Sequence, residues 1–171
     1  MESLNCDFEF DSIESDLEKL NHHKNLLWVL HADKIPPHIG ISTQGQFFSL
    51  KVGGKDEYLP TVKLIDFLSF KRIPSVVIEL NSNKNLNEIA QKFEQFDRAK
   101  DLKSSCLIPI KDLFISDQNV NQLKGFLEFL NDNKLMNQVF GLNLKKTYKG
   151  IPHYTTDEIE SRLEKLKHVK R

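Results

Sequence analysis

The chain has 171 residues, of which 39% are hydrophobic and 28% charged, a balance typical of a folded domain and unlike that of a disordered chain. Lysine and arginine together number 24, as do aspartate and glutamate, so the net charge is zero at pH 7. That balance provides no general attraction to nucleic acid, and we expect no nucleic-acid partner. A chain of this length buries enough surface to fold without a disulfide or a metal, so we predict one domain over residues 1–171.

Residues 1–11 are predicted to form a flexible arm. The N-terminal region lacks the basic start and apolar run of a signal peptide. No stretch approaches the roughly 20 apolar residues of a membrane-spanning helix, so no membrane span is expected. The two cysteines, Cys6 and Cys106, are widely separated and are expected to be free thiols. Together these features favour a cytoplasmic location.

Asp11 or Ser12 is expected to cap a first short helix, with apolar residues at helical spacing up to Leu20. Four segments have the apolar, β-branched composition of strands. They lie near residues 26–31, 38–42, 46–52 and 75–80. The second and third are joined by a Thr-Gln-Gly turn and are predicted to form a hairpin.

Five further helices are predicted from the helical spacing of apolar residues. Their starts are marked by Pro60, Asn85, Pro109, Asp117 and Thr155. Strands precede most of the helices, and this order favours an α+β fold with a small antiparallel sheet over a doubly wound parallel sheet. Residues 135–171 are expected to form a C-terminal helical extension, within which residues 139–144 have the composition of a strand or extended segment. The sequence leaves open whether this extension joins the core.

Cys106 is the candidate nucleophile. Proline is tolerated only near a helix start, so Pro109 places Cys106 in the first turn of its predicted helix. Unpaired backbone N–H groups and the helix dipole at such a position lower the pKa of a thiol and favour the reactive thiolate. The alternative interpretation is that Cys106 is a small buried hydrophobic residue, as free cysteines often are.

His38 is the candidate general base, because the pKa of histidine lies near neutral pH. It opens the predicted strand His-Ile-Gly-Ile-Ser, in which Gly40 indicates a close backbone approach or a bulge. The alternative interpretation is a partly exposed histidine that follows a Pro-Pro turn.

The hairpin containing His38 resembles a known family. Residues 37–42 read Pro-His-Ile-Gly-Ile-Ser and residues 45–50 read Gly-Gln-Phe-Phe-Ser-Leu. This stretch resembles the histidine hairpin of the NlpC/P60 papain-like hydrolases. In most members the cysteine precedes the histidine, whereas Cys106 follows His38 by a helix and a strand. That order is similar to the circularly permuted branch, which includes YiiX-like and lecithin:retinol acyltransferase-like proteins, and the resemblance covers about residues 26–115.

The resemblance implies a permuted papain-like architecture and a thiol hydrolase or acyltransferase that acts on an amide, thioester or ester bond. It implies that Cys106 attacks the carbonyl carbon, that His38 carries the proton, and that Ser49 on the second hairpin strand orients His38. The substrate would be a small molecule or a peptide, and no cofactor would be needed.

The alternative function is a non-enzymatic intracellular binding or adaptor protein, including a degenerate hydrolase fold that only binds. Phe8 and Phe10 in the acidic N-terminal arm would suit docking to a protein partner. We expect no metal, because the spacing of His22, His23, His31 and His38, with Asp33, matches no standard zinc finger. His22 and His23 are instead expected at the exposed C-terminal end of the first helix. The Gly53-Gly54-Lys55 segment lacks the spacing of a phosphate-binding loop and is interpreted as a turn.

Overall fold

The computed structural model describes residues 6–169. Eight strands in this range form a six-stranded sheet and a two-stranded sheet, and every pairing between these strands is antiparallel. The strands are β1 (Cys6–Glu9), β2 (Leu26–Leu30), β3 (His38–Thr43), β4 (Gln46–Lys51), β5 (Gly54–Pro60), β6 (Ser75–Leu80), β7 (Met136–Leu142) and β8 (Gly150–Pro152). The large sheet has the order β5-β4-β3-β2-β6-β7, and β1 pairs with β8.

Five α-helices and one short 3-10 turn, Leu17–Lys19, accompany these strands in the described range. The helices are α1 (Thr61–Lys71), α2 (Leu86–Glu94), α3 (Ile108–Asp112), α4 (Leu123–Asp132) and α5 (Thr156–Lys167). The predicted α+β class with a small antiparallel sheet is therefore confirmed, and all four predicted strands are present with ends within one residue of those expected. No helix in the described range is both long and apolar enough to cross a bilayer.

Helices cover both faces of the large sheet, which explains why β2 and β6 are buried along their whole length. On one face, Trp28 and Phe47 pack with Leu64 and Leu68 of α1. On the other face, alternate strand residues such as Ile39 pack with apolar side chains of α2, α3, α4 and α5. Strand alternation therefore decides which helix each side chain of β3 and β4 can approach.

The helix predicted from Asp11 or Ser12 to Leu20 is wrong. The segment instead runs beside β7: the Glu14 N–H donates to the carbonyl of Val139 at 2.8 Å, and the Gly141 N–H donates to the carbonyl of Glu14 at 2.9 Å. The edge strand β7 supplies hydrogen-bond partners that a helix would otherwise have to provide internally. Only the 3-10 turn at Leu17–Lys19 remains helical.

The flexible arm predicted over residues 1–11 is wrong for residues 6–9, which form β1 and pair with β8. Residues 1–5 lie outside the described range. Phe8 and Phe10 stack edge to face at 5.4 Å and are partly buried against the main core. They consequently contribute to the fold and do not form a free docking peptide.

The C-terminal helical extension predicted over 135–171 is wrong for residues 150–152, while the strand at 136–142 agrees with the strand or extended segment expected over 139–144. Residues 136–142 form β7, which completes the large sheet beside β6, and residues 150–152 form β8. Only α5 is helical, and its Ile159 and Leu163 are buried in the main core. A row of unpaired β6 backbone groups needs a partner strand, which is why this distant segment belongs to the core.

Candidate active site

A cavity of about 940 Å³ lies where β3 begins and β4 ends. Residues from the 31–37 loop, from α1 and from α5 complete its walls, and most of the side chains are apolar. Its polar and charged lining includes His31, Lys34, His38, Lys51, Asp56, Lys63, Ser105, Cys106, Asn121, Tyr154 and Arg162. Two of the three predicted site residues, His38 and Cys106, therefore line the same cavity, and Ser49 does not.

His38 is the first residue of β3, opposite Leu30 of β2. Burial lowers the pKa of its imidazole to about 4, the nearby Asp56 carboxylate raises it, and the charges of Lys51 and His31 lower it further. The ring is therefore neutral at pH 7 and able to accept a proton. Its Nε2 atom is buried and has no hydrogen-bond partner among residues 6–169.

The sequence predicted Cys106 in the first turn of a helix. It lies instead in a turn immediately before α3. The Ile108 N–H donates to the carbonyl of Ser105 at 3.1 Å and closes this turn. The residue keeps some solvent exposure, but its thiol lies deep enough for burial to raise its pKa to about 11. The prediction of a resting thiolate is consequently wrong, because the thiol is protonated at neutral pH.

Backbone N–H groups surround the sulfur of Cys106 and oppose the effect of burial on its pKa. They belong to Ile39, to Cys106 itself and to Leu107. Ile39 directly follows His38 in β3, so the sulfur lies beside the first peptide units of that strand. The hydroxyl of Ser105 is also buried without a hydrogen-bond partner in the described part of the chain, and it lines the same cavity. Buried polar groups without partners are rare in proteins, and a bound ligand would satisfy them.

The two candidate catalytic side chains approach the cavity from different faces of the sheet. Strand alternation places His38 on the face that carries Trp28 and α1, whereas Cys106 packs against the cluster on the other face. No hydrogen bond joins His38 to the thiol among residues 6–169.

Ser49 does not orient His38 in this structure. It is fully buried on β4 opposite Gly40, and its hydroxyl donates a 3.0 Å hydrogen bond to Oδ2 of Asp56. The other carboxylate oxygen of Asp56 accepts from Nζ of Lys51 at 2.8 Å. Asp56 is thus held from both sides, and it is the group whose charge raises the pKa of His38.

Sequence reasoning missed Asp56 because it missed β5. Residues 53–56 were predicted as a turn, whereas the turn ends at Gly53 and Gly54 begins the edge strand. The polar sequence of this strand has no apolar run that would indicate burial. The pairing of Asp56 with Ser49 could be found only from the register between β4 and β5.

Gly40 lies at a close approach, one of the two alternatives expected from the His-Ile-Gly-Ile pattern, but the nearest group is the side chain of Phe47 and the β3–β4 pairing has no bulge. A Cβ atom at this position would lie 2.2 Å from Cε2 of Phe47 and 3.0 Å from the carbonyl oxygen of Phe48. The Phe47 ring occupies the space above Gly40, where it also contacts Trp28 edge to face at 6.0 Å between ring centroids. Glycine is therefore required for the hairpin to pack on the α1 side.

The remaining histidines are not grouped as a metal site. His22 was expected at the exposed end of a first helix, but it lies in a loop with its Nδ1 2.7 Å from Oγ1 of Thr61. Within the described range, no three His, Cys, Asp or Glu side chains are close enough together to hold a metal ion.

The fold and cavity define an α+β protein with an antiparallel sheet and a cysteine and a histidine at one sheet end. Comparisons with protein-family models, with curated proteins and with solved structures found no match for this chain.

Proposed function

We propose that the chain is a thiol hydrolase or acyltransferase in which Cys106 is the nucleophile and His38 the general base. The observation that supports this most directly is that both residues line one large cavity, with the sulfur beside the backbone N–H of Ile39. The resemblance of the His38 hairpin to the NlpC/P60 papain-like hydrolases points to the same chemistry. The bond attacked is an amide, thioester or ester.

The protonation states make base assistance necessary. A thiol with a pKa of about 11 is a weak nucleophile at neutral pH, so it must lose its proton during attack. His38, with a pKa of about 4, is unprotonated, but in this state it is a weak base toward the Cys106 thiol. The proposal therefore requires that bound substrate brings the two pKa values closer together. A catalytic base can act through one water, and catalytic hydrogen bonds often form only when substrate is bound.

The reaction has two balanced halves. The Cys106 sulfur bonds to the carbonyl carbon while His38 takes the thiol proton, and His38 then returns that proton to the leaving amine, alcohol or thiol. Water, or another acceptor with a hydroxyl or amine, then attacks the S-acyl enzyme with His38 again as base, which regenerates the thiol. Backbone N–H groups of Cys106 and Leu107 beside the sulfur would stabilise the oxyanion.

The test is acylation by p-nitrophenyl butyrate, followed by intact-protein mass spectrometry. We expect one butyryl adduct on wild-type protein, the same adduct on Cys6→Ala, and none on Cys106→Ala. His38→Ala should slow both formation and loss of the adduct, since His38 acts in both halves. Equal hydrolysis and equal labelling of wild-type and Cys106→Ala protein would overturn the proposal, provided that the variant has the circular dichroism and melting temperature of wild type.

A second candidate function is ligand binding without catalysis. The raised pKa of the Cys106 thiol and the placement of His38 on the opposite sheet face favour it. This candidate predicts that an apolar anion such as 1-anilinonaphthalene-8-sulfonate binds wild-type and Cys106→Ala protein equally, with no adduct in either. Adduct formation confined to proteins that contain Cys106 would exclude it.

A further inference from the structure

Helix α1 presents an unusually apolar outer surface. Phe67 is 52% exposed and Phe70 is 81% exposed, although large aromatic side chains are normally buried. The inner side of the same helix already packs onto the sheet, because Leu64 and Leu68 are buried against Trp28. The exposed phenylalanines are therefore not needed for packing α1 onto the sheet.

These phenylalanines form one stripe with a lysine. Lys63, Phe67 and Phe70 are spaced four and three residues apart, which places them on one face of the helix. We call these three residues the α1 stripe. Lys71 extends it, with Nζ 5.6 Å from the ring centroid of Phe70.

The α1 stripe continues into the rim of the cavity. Lys63 and Phe67 line the cavity together with Lys34 and Ile35 of the preceding loop. Ile35 is 46% exposed, so the apolar surface extends across the cavity mouth. A partner or surface bound to the α1 stripe would consequently cover or face the opening of the cavity.

The charge around the stripe is positive, although the whole chain is neutral. Residues 62–72 contain Lys63, Lys71 and Arg72 against one acid, Asp66, a net charge of +2. Asp66 lies on the same side of the helix, three residues after Lys63 and four before Phe70, but its single negative charge is outweighed by those of Lys63, Lys71 and Arg72. Exposed aromatics flanked by lysine and arginine are the pattern of helices that lie in an anionic lipid surface, with rings at the acyl boundary and cations at the headgroups.

We propose that the α1 stripe docks the protein on an anionic lipid surface, with the mouth of the cavity facing the headgroups. A second copy of the chain fits less well. A two-fold contact centred on the stripe would bring the lysines of one copy, Lys63 and Lys71, toward those of the other, and three side chains are too few for the roughly 800 Å² per partner of a stable interface. The proposal does not depend on the reaction proposed for Cys106.

The test is co-sedimentation of the full chain with two kinds of vesicle, one of phosphatidylcholine alone and one of equimolar phosphatidylserine and phosphatidylcholine. Wild-type protein should sediment with the phosphatidylserine vesicles, and added salt should release it because charge attraction is screened. Phe67→Ser with Phe70→Ser, and separately Lys63→Glu with Lys71→Glu, should weaken this binding by about tenfold or more. All four positions are exposed, so these variants are expected to fold.

Each stripe variant has a matched control that makes the same kind of substitution outside the α1 stripe. Val62→Ser removes an apolar side chain that is 64% exposed on the same helix but does not line the cavity, and it should leave binding unchanged. Lys145→Glu with Lys146→Glu makes the same charge change at exposed positions elsewhere. The proposal is overturned if wild type binds neither vesicle, if the stripe variants bind as wild type does, or if the controls lose binding equally. It is also overturned if wild type is a dimer that Phe70→Ser converts to a monomer.

Discussion

The hydroxyl of Ser49 donates a 3.0 Å hydrogen bond to Asp56, and this bond joins the residue expected to orient His38 to the carboxylate whose charge acts on it. Ser49 is fully buried, while the Asp56 side chain is partly exposed and lines the cavity. Ser49 thus acts on the carboxylate, and the carboxylate acts on the imidazole. Asp56 accordingly acts on His38 through its charge.

Replacing Asp56 should lower the pKa of His38 further. The Asp56 carboxylate raises that pKa, so Asp56→Asn removes a negative charge that favours the protonated ring, and the midpoint should move below about 4. Lys51 acts in the opposite direction, so Lys51→Met should raise the midpoint. Both shifts can be measured by NMR titration of the imidazole. An upward shift in Asp56→Asn would show that Asp56 does not act on His38 through its charge.

Acid should destabilise the fold through His38. Its pKa is about 4 in the folded state and 6.5 in the unfolded chain, so the unfolded state binds more protons between these values. Stability is therefore complete above pH 6.5 and falls as the pH is lowered toward 4, by up to about 3 kcal/mol. Urea unfolding at pH 7 and at pH 4.5 measures this loss. His38→Gln should show a smaller loss than wild type, and identical losses would contradict the expectation.

Alkylation should report the raised pKa of Cys106. In a Cys6→Ser background, the rate with iodoacetamide should be slow at pH 7 and should rise about tenfold per pH unit until the pH approaches about 11. The same protein unfolded in urea is the matched control, and there the rate should level off near the ordinary thiol pKa of about 8.5. Rapid reaction of the folded protein near pH 6 would mean that the resting form is a thiolate, contrary to this prediction.

Gly40 should not tolerate a side chain. Gly40→Ala would place Cβ 2.2 Å from the Phe47 ring and 3.0 Å from the carbonyl oxygen of Phe48, so we expect a loss of about 1–3 kcal/mol in the free energy of unfolding. Gly125→Ala is the control, because Gly125 lies inside α4 and its nearest neighbour, Cγ1 of Val120, is 3.6 Å away. Alanine there should stabilise the helix by about 0.5–1 kcal/mol. Equal effects of the two substitutions would contradict the packing argument for Gly40.

Local sequence patterns were sufficient where the energetic causes are local. The helix start at Asn85 was predicted, and a capping box forms there, with the Glu88 N–H donating to Asn85 at 2.9 Å and the Asn85 N–H donating to Glu88 at 2.8 Å. The strands at 26–30 and 75–80 were predicted because continuous apolar residues are typical of strands buried on both faces. The glycine of the His38 hairpin was likewise expected at a close approach or a bulge, and it lies at a close approach.

Only the tertiary structure decided features that depend on distant partners. Residues 6–16 are not a flexible arm and a helix, because β8 and β7 supply backbone hydrogen bonds from more than a hundred residues away. The β4–β5 register pairs Ser49 with Asp56, whose charge acts on His38, and composition cannot reveal that register. The sequence by itself determined the α+β class and identified Cys106 and His38 as candidate catalytic residues. The fold decided their protonation and their sheet faces, because burial and strand alternation arise only when separate segments pack together.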